Sequence, residues 1–366
     1  MRVLHVVGAR PNFMKAAPII REMALYPGEF QQILLHTGQH YAPEMSKVFF
    51  DELGLPKPDV NLGVGSGSHA WQTAQIMTHS EPVLLDSNPD WVVVYGDVNS
   101  TLAVTLVCSK LAIKVAHVEA GLRSFDRSMP EEINRLVTDQ IAELLFTPSR
   151  DADLNLVREG VLEDRIHMVG NVMIDTLVDL LPKAQEKWIH IKERYPFERY
   201  VLVTIHRPSN VDHPDTLSQI ISALNEISYD VPVLFPVHPR TRTRIDELGL
   251  REINEDLKLL DPLGYLEFLA LQMQSALVLT DSGGIQEETT YLGVQCLTAR
   301  ANTERPVTIE LGTNQLVESN KGSLIDAMNK KLSEPSPQRT LPPYWDGHTA
   351  PRVVEVFKQL LVDKNN

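Results

Sequence analysis

The stretch DWVVVYGDVNST, residues 90–101, joins a run of apolar residues to a short polar segment. The apolar residues stand at consecutive positions, which is typical of a parallel strand that is covered on both faces. Gly96 and Asp97 follow the run, and Asn99 or Ser100 then offers a side chain that caps the N-terminus of a helix. The stretch therefore predicts a strand, a tight turn and a helix, which is the repeating unit of an α/β sheet.

The same rhythm extends along the chain in both directions. Longer helical patterns alternate with further apolar runs, at residues 2–8, 31–37, 114–120, 165–170, 200–206, 231–237, 276–281 and 294–299. This alternation predicts the α/β class, with doubly wound parallel sheets. A charged and aromatic segment at 183–199 separates two such series. We therefore predict domains at 1–170 and 171–350, with a helix at 351–366 that could pack back on the first domain.

Length and composition narrow the class of protein. A chain of 366 residues suits two domains of about 150–200 residues each. The net charge of −14 disfavours non-specific binding to nucleic acid, which requires a basic surface. The two cysteines, Cys108 and Cys296, have no metal-ligand spacing, so we expect no structural zinc, no disulfide scaffold and a reducing, cytoplasmic location. No run approaches the ~18 apolar residues of a membrane span, and we expect no membrane contact.

Polar and charged residues collect at the ends of the apolar runs. In an open α/β sheet, ligands bind at the carboxyl ends of the strands, near the N-termini of the following helices. We therefore expect a ligand site at these ends, which two facing sheets would enclose in a cleft. The residues at the run ends include Arg10, Lys15, Asp97, Glu119, His206, Arg207, His238, Arg240, Ser282, Arg300 and Arg305.

The segment DSGGIQEE, residues 281–288, has the features of a phosphate site. Gly283 and Gly284 let the backbone approach a ligand, and the free N–H groups of the following helix N-terminus favour a pyrophosphate. Glu288 stands about one turn further along, where it could accept hydrogen bonds from ribose hydroxyls. The alternative is a Ser-Gly-Gly turn, beginning at Ser282, that only starts a helix.

Other candidate motifs divide into structural and functional ones. The segment GVGSGS, residues 63–68, is not G-x-G-x-x-G and follows no convincing strand, so we interpret it as a connector and find no support for NAD. His206 and His238 each end an apolar run beside an arginine or a proline, which favours a functional role. The histidines within strand or helix patterns are interpreted as structural, namely His5, His36, His167 and His190.

The segment HVEAGLRSFDRSMPEEINR, residues 117–135, is rich in carboxylates and arginines. A solvated loop that enters a helix at Pro130 explains Glu132, since acids are favoured in a first helical turn. It does not explain Glu119, which ends an apolar run and should be partly buried, where a carboxylate needs a partner or a function. Glu131 and Arg135 have i, i+4 spacing and share one helix face.

Taken in order, these motifs resemble the bacterial non-hydrolysing UDP-N-acetylglucosamine 2-epimerase family. The resemblance rests on GARPNFMKAAPI, GDVNST, HVEAGLR, MPEEINRLVTD, GNVMID, TIHRPSNVD, PVHPR, LTDSGGIQEE and NTERPVT, which span nearly the whole chain. It implies two Rossmann-like domains of the GT-B kind, with the site in the interdomain cleft and UDP bound by the second domain. It also implies reversible conversion of UDP-GlcNAc to UDP-ManNAc through a 2-acetamidoglucal intermediate, a homodimer, no metal and no nicotinamide cofactor.

The resemblance assigns roles to individual residues. Three carboxylates and one histidine are implied to be catalytic: Asp97, Glu119, Glu131 and His206. The residues implied to bind substrate, together with His238 from its position at a run end, are Arg10, Lys15, Arg135, Arg207, Leu263, Phe268, Ser282, Gly283, Gly284, Glu288 and Arg305. In this set Leu263 and Phe268 would lie near uracil.

The resemblance leaves several points open. Some members are activated by substrate at a second site, and Gln39, His40 and Gln72 match that site. Trp71 stands where those members carry an arginine, which argues against substrate activation. GARP and SFDRSMPEE also resemble relatives that act on UDP-2,3-diacetamido-glucuronate. The motifs are also compatible with a hydrolysing epimerase, a GT-B glycosyltransferase or a non-catalytic UDP-sugar sensor.

Overall fold

The computed structural model describes residues 1–38, 52–250, 254–335 and 340–365, except for the side chains of Arg10 and of residues 363–365. Contacts divide the chain into two compact units. Unit 1 comprises Met1–Thr176 together with Pro343–Asn366, and unit 2 comprises Leu177–Pro342. The domain limits expected from the sequence stay a prediction.

Unit 1 is built on a parallel sheet of seven strands in the order β3-β2-β1-β4-β5-β6-β7. Its strands are β1 Arg2–Val7, β2 Gln31–His36, β3 Val60–Asn61, β4 Trp91–Tyr95, β5 Lys114–Val118, β6 Leu144–Thr147 and β7 Ile166–Met168. Its helices are α1 Arg10–Ala24, α2 His69–Ser87, α3 Asn99–Lys110, α4 Pro130–Ile141, α5 Arg150–Arg158 and the start of α6 Val172–Arg194, with a 3-10 turn at Glu163–Arg165. The chain reverses its direction of travel between β1 and β4, which is the switch point where Rossmann-like sheets bind ligands.

Unit 2 repeats this plan with six parallel strands in the order β10-β9-β8-β11-β12-β13. The strands are β8 Val201–Thr204, β9 Val233–Pro236, β10 Leu257–Leu260, β11 Leu277–Thr280, β12 Cys296–Ala299 and β13 Asn314–Val317. The helices are α7 Pro208–Val211, α8 Pro214–Ile227, α9 Pro239–Glu247, α10 Tyr265–Gln274, α11 Gly283–Leu292, α12 Val307–Glu310 and α13 Lys321–Ser333. Its switch point lies between β8 and β11. The predicted doubly wound α/β class is confirmed.

A segment that follows unit 2 in the chain returns to unit 1. It carries helix α14, Thr349–Asn365, and buries Trp345 and Phe357. The Phe357 ring packs edge-on against Trp91 with centroids 5.7 Å apart, and Trp345 Nε1 donates to the Pro148 carbonyl at 2.9 Å. The Asp175 carboxylate accepts from two backbone N–H groups at the start of α14, at 2.7 and 3.0 Å. The C-terminal helix therefore completes the core of unit 1.

The structure corrects some local expectations. Strands β3, β6, β10 and β13 were not predicted, because each is only two to four residues long and those at sheet edges are half-buried. The predicted cap at Asn99 or Ser100 is wrong. Val98 is the N-cap of α3, with no side-chain hydrogen bond, and both polar residues lie inside the helix. The predicted separator at 183–199 lies mostly within α6.

None of the helices within the described ranges is long and apolar enough to cross a membrane.

Candidate active site

The switch point of unit 1 is held together by Asn12. Its Oδ1 accepts from the backbone N–H groups of Gly8 and Ala9, at 3.0 and 3.1 Å, where β1 turns into α1. Its Nδ2 donates to the Tyr95 carbonyl at 2.7 Å, at the end of β4. One buried side chain thus joins the first turn of α1 to the end of β4, and so fixes the positions of Lys15 and Asp97.

An ion pair between Lys15 and Glu119 lies at the ends of the strands. Both side chains are almost fully buried. Gly96 packs against the pair with a φ of +60°, and a Cβ at this position would lie 2.7 Å from Lys15 Nζ. The residue at this position must therefore be glycine, both for its conformation and for the close approach.

Glu119 has a strained backbone. Its φ of +74° lies in the left-handed region, which residues other than glycine rarely adopt. The N–H groups of Glu119 and Ala120 both donate to the Phe146 carbonyl at 3.0 Å, which holds this conformation. Strain that the surroundings maintain in this way is found most often at functional sites.

A pocket of about 300 Å³ opens in unit 1 beside these strand ends. Asp97, which follows β4, and Glu131, in the first turn of α4, both lie in its wall. The lining residues are Ser66, Gly67, His69, Gln72, Asp97, Val98, Asn99, Glu131 and Asn134. Two of the three carboxylates predicted to be catalytic are therefore brought to one pocket, and the third is paired with Lys15.

Asp97 is positioned by a chain of buried charges on α4. Arg135 Nη1 contacts Asp97 Oδ2 at 2.5 Å, and Arg135 Nη2 contacts Glu132 Oε2 at 2.6 Å. Glu132 also accepts from the backbone N–H groups of Ser124 and Phe125, at 3.0 and 2.9 Å. Burial opposes ionisation of Glu132, but these hydrogen bonds and Arg135 outweigh it and lower the pKa of Glu132. Glu132 is therefore ionised and holds the Arg135 side chain in place, and it is also an acidic residue in the first turn of α4.

Amide side chains line the other wall of the pocket. Asn99 Nδ2 donates to Gln72 Oε1 at 2.8 Å and lies 3.1 Å from His69 Nδ1. Gln72 Nε2 in turn donates to the Gly65 carbonyl at 2.9 Å. The segment 63–68 was interpreted as a connector, yet Ser66 and Gly67 belong to the pocket wall.

One residue of the predicted second site, Gln72, and the neighbouring Trp71 can be placed in relation to this pocket. Gln72 lines it together with Asp97 and Glu131. The Trp71 side chain is 45% exposed, and its ring packs on Gly67. Gln39 and His40 lie outside the described residues. Arg10 begins α1, and its side chain is likewise outside the described part of the chain.

The switch point of unit 2 is organised by Asp281, at the end of β11. This fully buried carboxylate accepts from the N–H groups of His206 and Arg207, at 3.0 and 2.8 Å, and from Asn210 Nδ2 at 3.0 Å. His206 Nδ1 lies 3.1 Å from Asp281, while about half of the His206 side chain is exposed. Asp281 therefore orients His206 and leaves its other ring nitrogen accessible.

Three arginines converge on Glu304. Arg300 Nη2 lies 2.7 Å, Arg305 Nη1 2.5 Å and Arg207 Nη2 3.7 Å from its carboxylate. Arg305 Nε also contacts Glu287 at 2.7 Å. Burial opposes ionisation of Glu304, but the arginines outweigh it and hold the pKa of Glu304 far below its usual range.

The arginine cluster lies against the N-terminus of α11. A Cβ on Gly283 would collide with Arg305 Nη1 and lie 2.9 Å from Glu304 Oε1. Ser282 is the N-cap residue of this helix, and its hydroxyl makes no capping hydrogen bond. Guanidinium groups and free helical N–H groups thus meet at one point, which suits a phosphate. Burial and the neighbouring Arg300 lower the pKa of Arg207, as expected where several cations are held together.

The remaining predicted residues lie at other positions in unit 2. Glu288 is buried and accepts from the Tyr265 hydroxyl at 2.9 Å. His238 is the N-cap of α9, where its Nδ1 accepts from the Arg240 N–H at 3.3 Å, so its position has a structural explanation. Leu263 lines a groove of about 260 Å³, and Phe268, predicted to lie near it, is half-buried and not part of that groove.

Sequence reasoning placed Arg300 at a run end but assigned it no role, and its buried Nη1 has no hydrogen-bond partner among the described residues. Other residues of these sites were missed. Glu304 stands beside Arg305 in TERP, but only the fold shows that three arginines converge on it. Asn12, Glu132 and Asn99 act through backbone and side-chain contacts that no local pattern predicts. No group of three or more potential ligands that could hold a metal ion occurs among the described residues.

Comparison with known proteins supports the resemblance seen in the sequence. A family model described as UDP-N-acetylglucosamine 2-epimerase matches residues 24–358. A protein of that name from Methanocaldococcus jannaschii is 45% identical over 366 residues, covering 98% of this chain and 99% of the relative. UDP-2,3-diacetamido-2,3-dideoxy-D-glucuronate 2-epimerase from Pseudomonas aeruginosa is 40% identical over 363 residues, covering 98% of this chain and 100% of the relative.

The fold is similar to that of solved members. The crystal structure of Methanocaldococcus jannaschii UDP-GlcNAc 2-epimerase in complex with UDP-GlcNAc and UDP has a TM-score of 0.89 and 44% identity, covering 98% of this chain and 100% of that chain. The family predicted from the sequence is thereby confirmed. Because the matches extend over nearly the whole chain, the protein belongs to the UDP-N-acetylglucosamine 2-epimerase family.

Proposed function

We propose that this protein interconverts UDP-N-acetylglucosamine and UDP-N-acetylmannosamine without releasing free sugar. The observation that carries the proposal is the pocket of unit 1, where Asp97 and Glu131 share one wall beside the Lys15–Glu119 pair. A protein that only binds or transfers a sugar does not need several carboxylates at one pocket. Proton removal and return at a carbon atom does require such groups.

The chemical problem is the weak acidity of the C2 proton, which is not next to a carbonyl group. When the C1–O bond to the diphosphate breaks, its electron pair leaves with UDP and C1 gains positive character. The proton at C2 can then be removed, and its bonding electrons form the C1=C2 double bond of 2-acetamidoglucal. Return of a proton to the opposite face of C2, with addition of UDP to C1, gives the epimer.

Unit 2 suits the departure of UDP. In our proposal Arg305, with Arg207 beside it, and the N-terminus of α11 stabilise the negative charge that develops on the diphosphate. His206 is half-exposed and oriented by Asp281, so it can donate a hydrogen bond to the same group. Glu288 is proposed to hold the ribose, together with the Tyr265 hydroxyl that it already contacts.

Unit 1 suits the proton transfers. Asp97 and Glu131 face one pocket, and Arg135 fixes the Asp97 carboxylate before substrate arrives. Glu119 is held by Lys15 in a strained conformation. We propose that these three carboxylates remove and return the C2 proton, with Lys15 and Arg135 keeping their positions.

A second candidate substrate is UDP-2,3-diacetamido-glucuronate. It is favoured by the 40% identity to the Pseudomonas aeruginosa epimerase of that sugar. The chemistry at C1 and C2 would be the same, so the carboxylates of unit 1 do not discriminate between the two sugars. The difference lies in the substituents at C3 and C6.

Proton NMR of the purified protein with UDP-GlcNAc in D2O tests the proposal. We expect the anomeric signal of UDP-ManNAc to appear, with deuterium entering C2. Free ManNAc with an equal amount of UDP would instead indicate a hydrolysing enzyme. Turnover of the diacetamido-uronate nucleotide alone would identify that sugar as the substrate, and no turnover of either would contradict the epimerase proposal.

A further inference from the structure

A buried cluster of charges lies beside the candidate active site and has no part in the proposed chemistry. Its centre is His117, on β5, whose side chain is fully buried. His117 Nδ1 lies 2.6 Å from Asp139 Oδ1, and His117 Nε2 lies 2.8 Å from the Gly96 carbonyl oxygen. Both ring nitrogens therefore face oxygen atoms that accept hydrogen bonds.

This geometry determines the charge of the ring. A neutral imidazole carries one N–H group and can donate only one hydrogen bond. Asp139 is an acceptor, because its carboxylate also accepts from the Gly121 N–H at 3.1 Å and lies 2.7 Å from Arg123 Nη1. A carbonyl oxygen is always an acceptor. Both contacts are therefore satisfied only by an imidazolium.

The charge balance of the cluster supports the same conclusion. Arg123 Nη1 lies 2.7 Å from Asp139, and Arg123 Nη2 lies 2.6 Å from Glu159. With His117 protonated, two cations face two carboxylates. With His117 neutral, Arg123 would have to balance both Asp139, which is fully buried, and Glu159, which is 24% exposed, and this is unfavourable for the buried carboxylate.

His5 provides an internal contrast. It is also fully buried in the same sheet, with Nδ1 2.7 Å from the Tyr95 hydroxyl and Nε2 3.0 Å from Gln32 Oε1. Its partners are uncharged, and the Tyr95 hydroxyl can donate as well as accept. Burial lowers the pKa of His5 to about 4, so this ring is neutral. His5 and His117 are both buried in one sheet. They thus differ in charge because His117 faces a carboxylate and His5 does not.

The cluster joins the three segments that carry the proposed catalytic carboxylates. His117 binds the carbonyl of Gly96, the residue before Asp97. Asp139 Oδ2 accepts from the Gly121 N–H at 3.1 Å, two residues after Glu119. Asp139 itself is on α4, the helix that carries Glu131 in its first turn.

We propose that His117 and Asp139 are positioning residues for the reaction, with His117 held as an imidazolium that fixes the Gly96–Asp97 turn against Glu119 and α4. This inference rests on the proposed function for its effect on turnover. The charge of His117 does not depend on that function. The competing explanation is an ion cluster that contributes only to stability.

The first test is the protonation state of His117. In protein labelled with ¹⁵N-histidine, we expect both ring nitrogens of His117 to be protonated at pH 7, because one faces the Asp139 carboxylate and the other the Gly96 carbonyl. The His5 ring should be neutral at the same pH. His117→Gln and His5→Gln assign the two sets of signals. A neutral His117 ring at pH 7 would overturn the proposal, whether or not the protein is an epimerase.

The second test separates positioning from stability. His117→Gln and Asp139→Asn are expected to lower kcat by about 10²-fold, because displacement of a reacting group by about 1 Å has an effect of that size. KM and the Kd for UDP should change little, since neither residue belongs to the arginine cluster of unit 2. Asp139→Asn preserves the shape of the side chain and carries the test if His117→Gln does not fold.

His5→Gln is the matched control, since it alters an equally buried histidine of the same sheet and should leave kcat unchanged. Normal kcat in a folded Asp139→Asn or His117→Gln variant would show that the cluster is only structural. An equal loss of kcat in His5→Gln would do the same. If wild-type protein converts neither UDP-sugar, the proposed function fails, and the NMR measurement still decides the charge of His117.

Discussion

Corresponding strands of the two sheets follow the same order. The side chains at the carboxyl ends of these strands, however, differ in charge. In unit 1, Asp97 pairs with Arg135, which also contacts Glu132, and Glu119 pairs with Lys15. In unit 2, three arginines converge on the carboxylate of Glu304, and one of them also contacts Glu287. The same switch point thus presents acids held by cations in one unit and a cluster of arginines in the other.

This difference shows that the fold decides where a ligand binds, and side chains decide what is done to it. A site rich in arginine and helical N–H groups stabilises a departing anion. A site with carboxylates held by single cations transfers protons without losing its geometry. Substitutions in unit 1 should therefore change kcat, and substitutions in unit 2 should change the affinity for UDP.

The largest effect on kcat is expected from Glu131→Gln, which removes one of the carboxylates proposed to transfer protons in unit 1. The amide has the same size but does not accept the proton, so kcat should fall by about 10³-fold. The Kd for UDP should be unchanged. NMR of product formation and a UDP titration measure the two quantities, with Glu81→Gln, at an exposed position on α2, as the control. Near-normal turnover would remove Glu131 from the mechanism.

Arg305→Gln tests the cations of unit 2. Loss of this guanidinium leaves Glu287 and Glu304 with fewer partners and removes a charged donor from the phosphate site. We expect UDP binding to weaken by about 2–3 kcal/mol, roughly 10²-fold in Kd. Arg240→Gln, which breaks the exposed pair with Asp212, should not change it. Calorimetric titration with UDP at 25 °C provides the values, and equal Kd in both variants would contradict the assignment.

Gly283 and Gly284 are adjacent at the N-terminus of α11, but a side chain would have different neighbours at the two positions. A methyl group on Gly283 would collide with Arg305, whereas a Cβ on Gly284 would meet no atom of the described residues within 4 Å. Gly283→Ala should therefore weaken UDP binding by about 1–3 kcal/mol through displacement of the arginine. Gly284→Ala should keep more of the affinity, unless the ligand itself fills that space. The same titration compares them, and a larger loss in Gly284→Ala would place the phosphate against Gly284 instead.

The smallest effect concerns acid stability. The pKa of Glu304 is lower in the folded protein than its ordinary value of 4.5, so its stabilising effect is complete above that pH. As pH falls below about 4.5, the unfolded chain binds a proton that the folded protein does not, and this residue reduces the free energy of unfolding by about 1.4 kcal/mol per pH unit. Urea unfolding at pH 4.5 and 3.5 should show a shallower decrease in Glu304→Gln than in wild type. Glu226→Gln, from an exposed pair, should retain the full slope.

Much of the fold follows from the sequence because the long apolar runs are strands buried on both faces. Runs such as 2–8 and 90–96 are found as β1 and β4, shortened by a residue or two at their ends. Strand β6, LLFT, was missed because it follows α4 after only two residues, without a glycine or proline between them. Strand β13 has polar residues at half of its positions and carries no clear strand pattern.

The site could be predicted as a set of residues but not as a set of contacts. The strand-end rule finds Asp97, Glu119 and Arg305, because the carboxyl ends of parallel strands share one edge of a sheet. It does not find that Glu119 pairs with Lys15, which stands 104 residues away in the chain. His117 was missed for the same reason, since its partner Asp139 lies on a helix and looks like an ordinary polar residue in the sequence.

The return of the C-terminal helix to unit 1 has a consequence for biosynthesis. Residues 177–342 form unit 2 without interruption, whereas unit 1 needs Trp345 and Phe357, which leave the ribosome later. We therefore expect the usual order, in which the N-terminal domain folds first during synthesis, to be reversed here. We expect unit 2 to be able to fold while the core of unit 1 still lacks its last two aromatic rings, so that the core of unit 1 is completed only after translation has passed them.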